Sequence, residues 1–212
     1  MPDFKIEQSI QSTGAVFGFD EAGRGPWCGP VVAACACWPN YQMPFYLSDQ
    51  IDDSKKLSAA KRELLYAEII QTSCIYGIGF ASADEIDMLN ILQATFLAMQ
   101  RALKQVVKNY AVQPAFALID GNRLPQNWSI PTQAVIKGDR LSLSIATASI
   151  LAKVTRDKFM KDLSVRYPQY GWDKNAGYGT KEHVAAIEQY GITPYHRRSY
   201  APIKTYLATH ID

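Results

Sequence analysis

Nothing in this sequence stays apolar for long enough to cross a membrane; its longest apolar runs fall short of the ~18 residues a spanning helix needs. The opening, MPDFKIEQSIQS, lacks the charged-then-apolar pattern of a secretory signal. Cysteine is scarce. Cys28, Cys35, Cys37 and Cys74 form no C-x-x-C pair and no His/Cys cluster, which excludes a zinc site and a disulfide framework. They read as small reduced core residues, Cys35 and Cys37 sharing one face of a strand, and the expected compartment is cytoplasmic. There is no G-x-x-x-x-G-K-[ST] loop. A G-x-G-x-x-G fingerprint fails at Cys28, and Pro26 blocks the helix it would need. His183, His196 and His210 have neither H-E-x-x-H nor triad-like spacing; His183 reads as a helix-surface residue. No internal repeat or low-complexity tract appears.

What is present suits one domain, or one domain with an appended lobe: 212 residues, of which 48% are hydrophobic. Lys+Arg total 22 against 20 Asp+Glu, so net charge says little. Its distribution says more. From Lys153 to Lys204 there are ten Lys/Arg and five Asp/Glu, leaving twelve and fifteen elsewhere. Such a split fits a protein that grips a polyanion on one surface, or an ordinary solvated face. AVFGFD, VVAACACW, CIYGIGFAS, AFALID and TQAVIKGD read as strands. LSAAKRELLYAEIIQ reads as a helix capped by Ser58, and residues 84 to about 107 as one helical stretch. A long helix follows in SLSIATASILAKVTRDKFMKDLSVRY, then the glycine-bounded loop GWDKNAGYGT, the helical KEHVAAIEQYG and a basic, proline-punctuated tail. This order predicts a mixed α/β sheet with helices on its faces and a helical C-terminal region.

The strand ends carry the chemistry. Asp20, Asp120 and Asp139 each close an apolar strand, and functional groups of open α/β sheets collect at such ends. Glu21, next to Asp20, would point to the other face unless the chain leaves the pleat at the Gly23/Gly25 turn. Any one of these acids alone reads as an end cap. Together they argue for a divalent cation site, because unneutralised carboxylates repel, and all-oxygen ligands favour Mg²⁺ or Mn²⁺. Paired ions of that kind drive in-line phosphodiester attack. The Gly23-Arg24-Gly25 turn offers bare backbone and a guanidinium to a ligand, or is a plain tight turn. Lys55 and Lys56 could meet phosphate, a solvated lysine pair being the commoner case; Lys153 and Arg156 could meet phosphate or pair with Asp157, and Ser149 shares a helix face with Lys153. Tyr178, between two glycines, could stack on a sugar or base, or pack on its own domain.

These motifs resemble the type 2 ribonucleases H. GFDEAGRGPWCGPVVAACA, DSKKLS, IDGNRLP, VIKGD, SIATASILAKVTRD, GYGTKEH and HRRSYAPIK follow in the family's order over nearly the whole chain. The resemblance implies an RNase H-like fold: a mixed five-stranded sheet flanked by helices, as a catalytic core over residues 1–165. A C-terminal helical extension over 166–212 would pack on it and help bind the duplex. It implies metal-dependent cleavage of RNA in RNA/DNA hybrids and of single ribonucleotides in duplex DNA. The cut would fall 5′ of the ribonucleotide, leaving 3′-hydroxyl and 5′-phosphate ends. Its catalytic and metal-binding acids carry over to Asp20, Glu21, Asp120 and Asp139, with Asp157 a rival for the fourth. Its ribose-sensing element carries over to Gly23, Arg24 and Gly25, and its stacking tyrosine to Tyr178. Phosphate contacts would fall to Lys55, Lys56, Ser149 and Lys153, and the cofactor would be a Mg²⁺ or Mn²⁺ pair; apart from the resemblance, no dimerisation segment is seen, and a monomer is expected. Trp27-Cys28 and Ala176 depart from the family's usual residues. Two other readings share these residues: a two-metal nuclease or strand-transferase without ribose selectivity, and a binding module that has kept the fold and lost the chemistry.

Overall fold

The computed structural model describes residues 1–51 and 57–210. Lys55 and Lys56 lie outside the described residues. Two short helices, α1 (Lys5–Ser9) and α2 (Phe45–Ser48), accompany α3 (Ala59–Ile69), α4 (Ala83–Leu89) and α5 (Ile91–Asn109). The long α6 (Leu143–Arg166) is followed by α7 (Trp172–Asn175), α8 (Lys181–Tyr190) and α9 (Ala201–Thr209). The strands are β1 (Ala15–Ala22), β2 (Val31–Cys37), β3 (Ile75–Ala81), β4 (Pro114–Asp120) and β5 (Thr132–Val135), in the order β3-β2-β1-β4-β5. β1 and β2 are antiparallel, as are β2 and β3, whereas β4 lies parallel to β1 and β5 parallel to β4. The sheet is therefore mixed, five-stranded and flanked by helices, as expected.

Both faces of the sheet are covered, which is why β2 reads as continuous small apolar residues and not as alternation. Val31, Ala33, Cys35 and Cys37 pack with Phe17, Phe19, Ile119 and the α5 residues Ala98, Met99 and Ala102. Ala34 and Ala36 pack on the other face with Leu143, Ala146, Ile150 and Leu151 of α6. All four cysteines are free and buried. The first turns of α6 are rich in Ser, Ala and Thr because that helix lies almost against the sheet. A Cβ on Gly18 of β1 would fall 2.3 Å from the Ile145 backbone nitrogen. A third cluster, joining Cys28, Met160, Leu163, Tyr170, Trp172, Ile187 and Ile203, ties α7 to α9 onto the outer end of α6.

The stretch from residue 84 to 107 is two helices, not one. Asn90 adopts φ 69°, a conformation that interrupts a right-handed helix, and its side chain accepts from the amides of Leu92 (3.0 Å) and Gln93 (3.2 Å) to start α5. Ser82 and Glu85 form a reciprocal cap at the start of α4. Ser58 caps α3, as predicted, accepting from the Lys61 amide at 3.2 Å.

Candidate active site

Alternation along β1 sorts its residues between the two faces. Phe17 and Phe19 face α5, so Gly18 and Asp20 face α6, where the Ser149 hydroxyl hydrogen-bonds to the buried Asp20 carboxylate. The Glu21 amide donates to Asp20 Oδ1 at 2.7 Å. β1 pairs with β4 in the register Phe19 to Ile119, so the next step sets Asp20 beside Asp120. Burial raises the Asp20 carboxyl well above the ordinary carboxylate range, and the charges of Glu21 and Asp120 push it further the same way.

Glu21 reaches this end of the sheet without the chain leaving the pleat, for β1 continues to Ala22. It borders two adjoining hollows. One is shared with Asp20, Gly23, Ser149 and Tyr178, the other with Asp120, Asn122 and Arg123. Its Oε1 accepts from Arg24 Nη1 at 3.1 Å. Asp139 does not end a strand. β5 stops at Val135, and Asp139 sits in a 3₁₀ turn, Gly138–Arg140, that leads into α6. The turn is pinned to the other acids because the Gly138 amide donates to Asp120 Oδ1 at 2.7 Å. Asp157, on α6, forms an ion pair with Lys153 at 2.7 Å.

The turn after β1 is held from behind by two buried arginines. Arg156 donates to the carbonyls of Pro30 (3.1 Å), Cys28 (3.0 Å) and Ala176 (3.0 Å). Arg197 donates to those of Gly23 (2.6 Å), Arg24 (3.1 Å), Pro26 (2.7 Å) and Gly29 (2.9 Å). Burial lowers both guanidiniums, Arg156 to about 10, where the charge of Arg197 adds to the lowering. Arg156 is therefore a structural staple, not a phosphate contact. Gly23 has φ +94°, and a Cβ there would lie 1.9 Å from Arg156 Nε, so only glycine fits. With the carbonyls turned inward, the amides of Gly23, Arg24 and Gly25 meet no acceptor among the described residues. The Tyr178 ring lies against Gly25, 3.3 Å from where a Cβ would be, and half of the residue is exposed.

Lys153 borders the same hollow, as does Arg62, which the sequence reading had passed over. That reading also missed Arg197 as a buried group, since a cationic tripeptide in a basic tail looks like a solvated face. His183 is wholly buried, not at a helix surface, and His196 beside it is 1% exposed. Among the described residues no helix is long and apolar enough to cross a membrane.

Residues 17–203 match the sequence profile of the ribonuclease HII family. The chain belongs to that family. It is 50% identical over 202 residues to the ribonuclease HII of Jannaschia sp. (strain CCS1), covering 95% of this chain and 96% of that one. With the ribonuclease HII of Paramagnetospirillum magneticum (strain ATCC 700264 / AMB-1) it shares 50% identity over 207 residues, 98% of this chain and 99% of that one. Among solved structures, the ribonuclease H2 of Pyrococcus horikoshii OT3 superposes with a TM-score of 0.73 at 25% identity, covering 92% and 98% of the two chains. As a ribonuclease HII the protein is an endoribonuclease of the RNase H type, and the fold expected from the motifs is the one observed.

Proposed function

We propose that this ribonuclease HII cuts RNA paired with DNA, and single ribonucleotides embedded in duplex DNA, at Asp20, Glu21, Asp120 and Asp139 with two divalent cations. Cleavage falls 5′ of the ribonucleotide and leaves 3′-hydroxyl and 5′-phosphate ends, which suits the removal of ribonucleotides from DNA. The observation that carries this reading is the adjacency of two features. A carboxylate is driven out of its ordinary range by burial and by two neighbouring acids, and beside it runs a turn whose three amides meet no acceptor among the described residues.

The donor set fits hard cations: all oxygen, with Asp20 buried against like charge. Among the described residues no three acids close around a single point. Mg²⁺ and Mn²⁺ keep water and take substrate phosphate oxygens as further ligands, so one or two carboxylates per ion suffice. When bound, two such ions would activate a water for in-line attack and stabilise the leaving 3′ oxygen.

The protein's own groups supply orientation. Ser149 and the Glu21 amide hold Asp20, and the Gly138 amide holds Asp120. The amides of Gly23 to Gly25 can engage the ribose 2′-hydroxyl, the group that separates RNA from DNA. Tyr178, lying on Gly25, is set to stack on the neighbouring deoxyribose. Lys153 and the side chain of Arg24 border the hollow and can meet the phosphates, and residues 166–212 add basic surface for the duplex. A nicking assay tests the whole reading. A duplex with one ribonucleotide should be cut on its 5′ side with Mg²⁺ or Mn²⁺, and neither an all-DNA duplex nor a reaction with EDTA should give product. Equal cutting of the all-DNA duplex would point instead to a nuclease without ribose selectivity.

A further inference from the structure

His183 and His196 meet in the core of the C-terminal region, and their partners leave each ring one hydrogen arrangement. The Thr193 amide, which can only donate, approaches His196 Nδ1 at 2.9 Å, and the Thr193 hydroxyl lies 3.0 Å from the same atom. His196 Nδ1 is therefore an acceptor, and the ring carries its hydrogen on Nε2. That Nε2–H points at His183 Nε2, 3.1 Å away, and the Trp172 indole N–H, a donor only, reaches the same His183 atom at 3.1 Å. Two donors thus share the one lone pair of His183 Nε2, so its hydrogen sits on Nδ1, where it donates to the Tyr178 carbonyl at 2.9 Å. The Thr193 amide, His196, His183 and the Tyr178 carbonyl form one directional chain in which each neutral ring has a single proton placement.

We propose that His183 and His196 are positioning residues for substrate discrimination: a tautomer-locked relay that sets the backbone of Tyr178 and so the seat of its ring on Gly25. The proposal rests on the reading of Tyr178 as the residue that senses the junction between ribonucleotide and deoxyribonucleotide. The chain of contacts is continuous. His196 is followed directly by Arg197, whose guanidinium grips the carbonyls of Gly23, Arg24 and Pro26. The dipeptide His196-Arg197 thereby fixes both halves of the proposed ribose-recognition site, the turn through one side chain and the tyrosine through the other. Burial supports the neutral state by lowering both imidazoles, His196 to about 3. Protonating either ring would also set two donors face to face.

Two measurements test it. In protein with ¹⁵N-labelled histidine, long-range ¹H–¹⁵N spectra at pH 7 should give the Nδ1–H tautomer for His183 and the Nε2–H tautomer for His196. Exposed His210 serves as the averaging control. Cleavage of a single embedded ribonucleotide relative to a continuous RNA tract should fall roughly tenfold in His183→Leu, because a small misplacement at a recognition group is amplified. His183→Asn, whose amide can still donate to the Tyr178 carbonyl, should recover most of that preference although the core contact is equally disturbed. Tyr178→Ala should lose the preference, and adding His183→Leu to it should change the ratio no further. If Tyr178→Ala loses the preference and His183→Leu keeps it, the relay is overturned and the reading of Tyr178 stands. If Tyr178→Ala keeps it, that reading fails and the relay with it. Should His183→Leu not fold, the spectra decide: His183 carrying its hydrogen on Nε2 overturns the relay.

Discussion

At the scale of single residues, the acids at the end of β1 work against folding. Asp20 is buried, and its carboxyl is pushed well above its usual range first by that burial and then by Glu21 and Asp120. Charge on a carboxyl so placed holds stability below what a neutral group of the same shape would give. Asp20→Asn keeps the oxygen that accepts from the Glu21 amide and removes the charge. In metal-free protein this variant should melt higher by a few degrees, while losing cleavage by roughly 10³-fold or more. Parallel calorimetry and nicking assays check both signs. A variant that melts lower would mean that Asp20 is a structural acid and not a charge kept for ligand binding. The acids were legible in the sequence because an ionisable residue ending an apolar run is conspicuous. Asp139 was legible as an acid but not as part of a 3₁₀ turn. Its approach, VIKGD, has the composition of a strand to the end, and the contact that bends it is made by Asp120 in another segment.

Elements were readable where burial alone determines pattern and unreadable where one backbone angle or one remote partner decides. All five strands announced themselves, since a sheet covered on both faces demands apolar runs. The break between α4 and α5 did not, because Asn90 sits in a stretch whose apolar residues keep helical spacing on both sides of it. Asn90→Ala removes the oxygen that caps α5 and leaves a Cβ at φ 69°. It should destabilise the protein by about 1 kcal/mol in urea titrations. Asn90→Gly, free of the backbone penalty, should cost only a few tenths. Equal losses would mean that the angle carries no strain. The helical region after α6 depends on two neutral histidines. His196 is lowered to about 3 from an unfolded value near 6.5, so between those limits the unfolded chain binds the extra proton. The resulting stability is complete above pH 6.5 and is lost as pH falls below it, by about 2 kcal/mol at pH 5 for this ring alone. Urea midpoints at pH 7 and pH 5 check this, and His196→Gln should flatten the difference between them.

For the whole molecule, the sequence suggested a basic C-terminal quarter, and the fold alters what that charge is for. Of the ten Lys/Arg between residues 153 and 204, Arg156 and Arg197 face inward and staple the turn at residues 23–30, while Lys153 pairs with Asp157. No charge count could separate those from the seven that remain exposed: Lys158, Lys161, Arg166, Lys174, Lys181, Arg198 and Lys204. Affinity and selectivity should therefore respond to different residues. Lys174 and Lys181 flank the Tyr178 loop, one in α7 and the other opening α8. If both meet phosphate, changing them to glutamine releases two fewer counterions. The slope of log affinity against log salt should then shallow by about 2, with the choice of ribonucleotide over deoxyribonucleotide unchanged. Tyr178→Ala should do the reverse, leaving the salt slope intact and eroding the choice at the junction. Measuring binding across a salt series for both variants, on duplexes with and without one ribonucleotide, separates the two. A lysine pair that altered selectivity, or a tyrosine that altered the slope, would mean that recognition and grip are not divided between the turn and the C-terminal surface.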